Sequence, residues 1–113
     1  MRESNVETVE RYLDAIRSKD LSRAPLADDV LFADPLVPEQ RGVAAWRDFV
    51  GQMLPAISGV RVKQHVAEND YVATLWEADT VWGVIPIFEL FHIEDGLIKE
   101  VRAYMDPRPI TNA

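Results

Sequence analysis

The second half of this chain is divided into four apolar segments by short polar breaks, and this pattern restricts the available folds strongly. The segments are rich in valine, isoleucine and aromatic residues, which favour strands, and they cover about residues 60–67, 71–79, 84–93 and 97–105. Two of the breaks, Glu68-Asn69-Asp70 and Glu94-Asp95-Gly96, have the composition of hairpin turns. We therefore predict four consecutive strands joined as a meander.

The first half of the chain predicts helices. Apolar residues recur at helical spacing between Val6 and Ile16, with Ser4 as the expected N-cap. Asp20 is expected to cap a short second helix. A third helix is predicted over residues 43–54, where large apolar side chains form one wide face.

Between these helices the sequence predicts an extended segment at residues 30–34, followed by a loop bracketed by Pro35, Pro38 and Gly42. Helices followed by a strand meander indicate the α+β class. The N-terminal helices are expected to pack on one face of a strongly curved, mainly antiparallel sheet. At 113 residues, the chain is interpreted as one domain covering residues 1–113.

Charge and composition exclude several classes of function. A net charge of −7 at pH 7 argues against a nucleic acid or an anionic membrane as a partner, because both attract positively charged surfaces. The absence of cysteine removes disulfides, thiol nucleophiles and thiolate metal sites. The N-terminus has no apolar core typical of a signal peptide, and no apolar stretch approaches the ~18 residues of a membrane span. We expect a cytoplasmic protein.

A carboxylate lies within the apolar segment at residues 84–93. Strand alternation places Glu89 on the face expected to meet the helices, together with four apolar side chains, Ile85, Ile87, Phe91 and Ile93. A buried carboxyl group there has a raised pKa and becomes a candidate proton donor. The alternative is that Glu89 pairs with an arginine or reaches water at a strand edge.

The opposite face of the same segment is also apolar. It carries Phe88, Leu90 and His92, which would form a sizeable exposed patch in a monomer. We therefore expect a homodimer through this face of the sheet.

A second acid is also embedded in apolar sequence. Asp34 follows Val30-Leu31-Phe32-Ala33 and precedes Pro35. Two acids in apolar surroundings on different elements are what acid–base chemistry on an apolar substrate requires. The alternative for Asp34 is a turn, because aspartate before proline commonly forms one.

The two histidines are not predicted to form a site. His65 is expected to face away from the pocket as a surface or interface residue, and His92 faces away from Glu89. We therefore predict no metal site. The sequence has no serine nucleophile elbow, glycine-rich phosphate loop or dinucleotide fingerprint. No cofactor is expected.

Several local strings resemble one superfamily. They are Arg11–Ile16, Ala27–Val30, Ala33–Pro35, Gly42–Phe49 and Phe91–Tyr104. In these strings and in the order of its elements, the chain resembles the nuclear-transport-factor-2-like (NTF2-like) superfamily over about residues 4 to 106. That superfamily has a cone-shaped α+β fold and includes ketosteroid isomerases, SnoaL-like polyketide cyclases, scytalone dehydratase and limonene epoxide hydrolase.

The resemblance implies roles for three residues. Asp34 falls where ketosteroid isomerases keep their general base, and Tyr12 where they keep a tyrosine that donates to the developing oxyanion. Glu89 falls, with a one-residue gap, where they keep a protonated aspartic acid as the second donor. The chain departs from this pattern at Val50, where many isomerases have a supporting tyrosine. Limonene epoxide hydrolase is a weaker match, because Ala103 stands where that branch needs an aspartate.

A pocket for a small hydrophobic substrate is expected at the wide end of the cone, although a filled core is the alternative. Its candidate lining residues are Phe32, Trp46, Phe49, Met53, Trp76, Phe91, Ala103 and Met105.

Three hypotheses for function follow. The first is a small cofactor-independent enzyme, an isomerase, cyclase or dehydratase, acting on an apolar carbonyl compound through Asp34, Tyr12 and Glu89. The second is a non-catalytic ligand-binding or dimerisation module, in which Glu89 is ionised and paired with Arg102 or Arg41. The third is an epoxide-hydrolase-like enzyme that activates water through Asp34 or Asp79.

Overall fold

Six strands form one curved sheet, against which the helices pack, in a computed structural model that describes residues 2–113 and their side chains from Ser4 onward. In chain order the elements are α1 (Arg2–Arg17), a 3₁₀ turn (Leu21–Arg23), β1 (Leu26–Asp34), β2 (Val37–Arg41), α2 (Val43–Met53), a 3₁₀ turn (Leu54–Ala56), β3 (Ile57–Glu68), β4 (Tyr71–Thr80), β5 (Gly83–Glu94), β6 (Leu97–Tyr104) and α3 (Arg108–Thr111).

The sheet has the strand order β2-β1-β6-β5-β4-β3. All neighbouring strands are antiparallel except β1 and β6, which run parallel. Both predicted hairpin turns are present, and Asn69 and Asp95 adopt the positive φ angles that tight hairpin turns require. The α+β class, the four-strand meander and the position of the helices are thus confirmed.

The first helix begins earlier than predicted. Ser4 lies inside the first turn of α1, so it is not the N-cap, and its carbonyl accepts a hydrogen bond from Thr8 Oγ1 at 2.9 Å. The residues that precede it, arginine and glutamate, are good helix formers and allow the extension. Asp20 does act as a cap, because its carboxylate accepts from the Ser22 backbone N–H, but it begins a 3₁₀ turn.

The predicted loop around Pro38 is wrong in part, because residues 37–41 form strand β2. This strand pairs only with β1 and lies at the edge of the sheet. A proline is tolerated in an edge strand because its missing N–H would face solvent. Proline content therefore suggested a loop where the chain forms a short strand.

The hydrophobic core lies between the helices and one face of the sheet, here called the inner face. Val9 and Leu13 of α1 and Trp46 of α2 pack there with Phe91 and Ile98 from the sheet. The predicted alternation of β5 is confirmed, since Glu89 and its apolar neighbours point to the inner face and are mostly buried.

The opposite face of the sheet, the outer face, carries exposed large apolar side chains: Val66, Tyr71, Leu75, Val84, Phe88 and Tyr104. Among residues 2–113, none of the helices has the length and hydropathy needed to cross a membrane.

Candidate active site

An apolar cavity of about 100 Å³ opens between the inner face of the sheet and the helices. It contains the three side chains that the sequence singled out, Tyr12, Asp34 and Glu89. Seven of the eight predicted pocket residues also line it: Phe32, Trp46, Phe49, Met53, Trp76, Ala103 and Met105. Three acid–base candidates therefore share one apolar space.

Glu89 is buried, with 4% of its surface exposed. Trp76 Nε1 donates a hydrogen bond of 2.6 Å to its Oε1 atom. Burial raises the pKa of Glu89 from 4.5 to about 7, and the charge of Asp34 adds to this, while the hydrogen bonds from Trp76 and Tyr12 oppose it. Near neutral pH this carboxyl group is therefore available as a proton donor.

Neither arginine suggested as a partner of Glu89 reaches it. Arg102 pairs with Glu100 and, at 3.1 Å, with Glu39. Arg41 donates instead to the backbone carbonyl of Asp29. Within the described part of the chain, Glu89 forms no ion pair.

Asp34 ends strand β1, next to an irregularity in the pairing of β1 with β2. Its Oδ1 atom accepts a hydrogen bond of 2.8 Å from the Leu36 N–H. Burial raises the pKa of Asp34, and the hydrogen bond from Leu36 opposes the rise. The Asp34 side chain thus stabilises the turn before β2 and also lines the cavity. A role in the turn and a role as an acid–base residue are therefore compatible.

Tyr12 projects from α1 into the core and is 3% exposed. Trp46 Nε1 donates to its hydroxyl oxygen at 3.3 Å. Burial and the charge of Glu89 raise the pKa of Tyr12 well above its ordinary value. The phenol therefore stays protonated and can act only as a neutral hydrogen-bond donor to a substrate oxygen.

Sequence reasoning missed two indole contacts. Trp46 and Trp76 were expected only as pocket walls, yet their N–H groups hold Tyr12 and Glu89. Many ketosteroid isomerases have a supporting tyrosine where this chain has Val50. Here the Trp46 N–H bonds to Tyr12 instead, and Val50 lines the cavity. These contacts could have been anticipated, because a buried indole N–H usually has a hydrogen-bond acceptor.

Phe91 is placed in the core and not on the cavity wall. It is fully buried and meets the ring of Tyr12 edge-on, with ring centroids 5.1 Å apart. Phe91 shares the inner face with Glu89, and there it is enclosed in the hydrophobic core. Its contribution to the site is to fix the Tyr12 ring.

His65 does not face away as predicted. Its Nδ1 atom lies 2.7 Å from Thr74 Oγ1 on the inner face, and its Nε2 atom contacts the carboxylate of Glu10. The reason is an irregularity between Val62 and Gln64 in the pairing of β3 with β4, which shifts the alternation of side chains by one position.

The remaining candidates lie outside the cavity. Asp79 pairs with Arg61, which lowers the pKa of Asp79, and neither residue lines the cavity. His92 is on the outer face, where its ring stacks on Tyr71. Asp70 and Glu94 approach His92 there, with ligand atoms within 4.8 Å of one another. Water activation by Asp79 in the cavity has no geometric support.

A C-terminal element completes the cavity. The short helix α3 was not predicted, and its Ile110 joins the lining with Met105 at the end of β6. Four residues give no readable periodicity, so α3 leaves no signal in the sequence.

The profile of the SnoaL-like domain matches residues 9–101. Among solved structures, a candidate ketosteroid isomerase from Kribbella flavida has a TM-score of 0.83 and 17% identity, covering 93% of this chain and 79% of that one. A candidate SnoaL-like polyketide cyclase from Jannaschia sp. CCS1 has a TM-score of 0.82 and 20% identity, covering 99% and 92%.

A third similar structure is that of an enzyme whose activity differs from isomerisation and cyclisation. An epoxide hydrolase from M. tuberculosis has a TM-score of 0.78 and 19% identity, covering 98% of this chain and 89% of that one. A search of curated protein sequences gives no match. At these identities the similarity to solved structures shows the fold, and the chemistry must be argued from the site.

Proposed function

This chain belongs to the SnoaL-like domain family, and we propose that it is a small cofactor-independent enzyme that enolises an apolar carbonyl compound. Isomerases, aldol cyclases and dehydratases share this step. The observation that carries the proposal is a buried carboxyl group, Glu89, that has no cationic partner among the described residues and lies in the same apolar cavity as Tyr12 and Asp34.

In the proposed reaction, the Asp34 carboxylate removes a proton from the carbon next to the substrate carbonyl. The electron pair of that C–H bond moves into a carbon–carbon double bond, and negative charge develops on the carbonyl oxygen. Tyr12 and protonated Glu89 donate hydrogen bonds to this oxygen. Donors already fixed in an apolar site stabilise such a charge without reorganising.

The two carboxyl groups need different protonation states, and their surroundings favour this. Glu89 is fully buried, whereas Asp34 is only partly buried and accepts a backbone hydrogen bond. The charge of Asp34 also raises the pKa of Glu89. Ionised Asp34 therefore favours protonated Glu89, which is the combination that the reaction requires.

The size of the cavity restricts the substrate. An apolar cavity of about 150 Å³ holds a benzene molecule, and this cavity has a volume of about 100 Å³. The reacting end of the substrate is therefore a short chain or part of one ring, and a larger body must extend through the opening. A fused-ring steroid does not fit within the enclosed part.

The test is deuterium exchange at the α-carbon of small apolar ketones in D₂O, followed by proton NMR. We expect Asp34→Asn to reduce the rate by about 10²- to 10⁴-fold, the usual contribution of a general base. Asp79→Asn, which changes an aspartate outside the cavity, should leave the rate unchanged. Equal exchange rates for the wild type and Asp34→Asn would exclude Asp34 as the base.

The alternative is a non-catalytic ligand-binding module of the same fold. The hydrogen bond from the Leu36 N–H to Asp34 favours it, because it gives that carboxylate a purely structural use. This alternative predicts that apolar ketones bind in the cavity and that no variant alters deuterium exchange.

We also propose that the protein assembles as a homodimer through the outer face. Leu75, Phe88 and Tyr104 are directly opposed on β4, β5 and β6 and form one exposed apolar row. Leu90 and His92 continue the surface on β5, half-buried. An apolar surface that spans three strands is typical of a protein–protein contact.

A further inference from the structure

A row of polar side chains crosses the inner face of the sheet beneath α1. His65 on β3 is directly opposed to Thr74 on β4, and Thr74 is directly opposed to Glu89 on β5. Directly opposed residues on antiparallel neighbours project from the same face, with Cβ atoms about 4.5–5.5 Å apart. Glu10 of α1 extends the row at the His65 end.

The row leads from solvent to the buried acid. The side chains of Glu10 and His65 are 41% and 16% exposed, whereas Thr74 is completely buried. His65 Nδ1 and Thr74 Oγ1 are 2.7 Å apart, and His65 Nε2 bonds to the Glu10 carboxylate. In the structure the Thr74 hydroxyl bonds to His65, and the carboxyl group of the opposed Glu89 accepts from Trp76. Proton transfer between Glu89 and Thr74 requires the Glu89 carboxyl group to turn towards Thr74 while Thr74 keeps its bond to His65.

The direction of the hydrogen bond at Thr74 depends on the charge of His65. Neutral His65 keeps its proton on Nε2, facing the Glu10 carboxylate, so Nδ1 accepts from the Thr74 hydroxyl. A cationic His65 carries N–H groups on both ring nitrogens, so Nδ1 donates to the Thr74 oxygen. The Thr74 proton is then free to turn towards the Glu89 carboxylate.

We propose that His65 and Thr74 govern the protonation of Glu89, with one proton shared along the row. When Glu89 gives up its proton, Thr74 Oγ1 takes it and passes its own hydroxyl proton to His65 Nδ1. The products are a Glu89 carboxylate and an imidazolium ion held by Glu10. The reverse transfer restores protonated Glu89 from the solvent side while substrate fills the cavity.

His65 and Thr74 are therefore positioning residues that act through Glu89. Their use in catalysis rests on the proposed function, whereas the coupling of their protons with Glu89 is independent of it. The charged and titratable groups around the row are few. α1 contributes Glu10 and Tyr12, and β1 contributes Asp34.

No lysine or arginine among the described residues bonds to a member of the row. β4 presents only the neutral side chains of Thr74 and Trp76, and β6 presents Ala103 opposite Glu89. In its protonated form, His65 is therefore the one cation that the row itself offers to ionised Glu89.

The experiment is an NMR pH titration of the full chain, labelled with ¹³C at glutamate carboxyl groups and ¹⁵N at histidine. In the wild type we expect the Glu89 signal to change in two steps, one of which coincides with the titration of the His65 ring. In Thr74→Val, which removes the hydroxyl at similar volume, the Glu89 titration should become a single step. The pH at the midpoint of the Glu89 titration should be about one unit higher in this variant than in the wild type, because an interaction of about one pKa unit is the size at which coupled groups titrate in separate steps.

Matched variants distinguish coupling from damage to the fold. Thr74→Ser keeps the hydroxyl and should retain the two-step curve, and His92→Gln changes a histidine on the other face and should have no effect. His65→Gln should abolish the second step, and it serves as the test if Thr74→Val does not fold. Wild-type titration curves for Glu89 in both Thr74→Val and His65→Gln would overturn the proposal.

Turnover is not needed for this measurement. A wild-type protein without deuterium-exchange activity would overturn the proposed function and leave the coupling intact. Conversely, an active enzyme whose Glu89 titrates independently of His65 would overturn the coupling alone.

Discussion

The two acids of the cavity show how one residue type acquires different properties from its surroundings. Glu89 is buried, and its Oε1 atom accepts a hydrogen bond from the Trp76 indole. Asp34 is partly exposed and accepts a backbone N–H. Placing a negative charge on Glu89 therefore costs more free energy than placing one on Asp34. When one proton is shared between the two carboxyl groups, Glu89 is the group that holds it.

Burial of Glu89 makes stability depend on pH. Its folded pKa of about 7 lies above its ordinary value of 4.5, so the folded state binds more protons than the unfolded state between these values. The free energy of unfolding should therefore fall as pH rises from about 4.5 to 7, by up to about 3 kcal/mol. Glu89→Gln stays neutral, and its stability should not show this fall.

Urea denaturation at pH 5 and pH 8 measures the effect. Asp34, whose pKa is also raised by burial, adds a slope of the same sign in both proteins, so the difference between them reports the Glu89 charge together with its interaction with Asp34. Glu68→Gln, at an exposed position at the end of β3, is the matched control and should follow the wild type. Parallel stability curves for the wild type and Glu89→Gln would show that the Glu89 pKa is not raised.

Trp76 should hold the pKa of Glu89 below the value that burial alone would give. Its N–H donates to the carboxylate and stabilises the charged form. Trp76→Phe removes this donor, so the midpoint of Glu89 in a ¹³C NMR titration should move to higher pH. Trp82→Phe, in the turn between β4 and β5, is the control. An unchanged or lower midpoint in Trp76→Phe would contradict the assigned hydrogen bond.

At the scale of elements, α3 illustrates structure imposed by packing. A helix of four residues cannot form alone, because nucleation costs more than so few hydrogen bonds return. Its Ile110 lies against the cavity beside Met105. Packing of Ile110 against the cavity therefore stabilises α3, and because this lining residue is half-buried we expect it to stand at the opening.

Ile110→Ala should widen that opening. We expect several-fold faster binding of a small apolar fluorescent probe in stopped-flow experiments, because the covering side chain is shortened. The free energy of unfolding should change by less than about 1 kcal/mol, since Ile110 is only half-buried. Thr111→Ala, an exposed neighbour in the same helix, should bind the probe at the wild-type rate. Slower binding by Ile110→Ala would show that the probe enters elsewhere.

For the whole molecule, the uncovered outer face leads to a prediction about assembly. A stable interface buries about 1,600 Å² in total, and the row of Leu75, Phe88 and Tyr104 lies at the centre of the available apolar surface. Phe88→Lys would place a charge in the middle of that interface. Sedimentation velocity should show a dimer for the wild type and a monomer for this variant.

Val81→Lys is the matched control for this experiment. Val81 is exposed in the turn between β4 and β5, away from the row, so this variant should remain a dimer. A wild-type protein that sediments as a monomer at all concentrations tested would exclude the proposed assembly.

The sequence by itself determined most of the elements and the faces of the central strand. Period-two alternation placed Glu89 on the inner face of β5, and turn composition located the hairpins at Asn69 and Asp95. These features depend on neighbouring residues, whose backbone geometry repeats over two to four positions. For the same reason the boundaries of most helices and strands were predicted closely.

Tertiary structure alone decided how those elements meet. Trp46 reaches Tyr12 across 34 residues of sequence and Trp76 reaches Glu89 across 13, and β1 lies parallel to β6 from the other end of the chain. An irregularity in β3 brings His65 to the inner face. No local period encodes such contacts, because the packing of the whole core selects which distant side chains share a buried space and which polar groups must satisfy one another there.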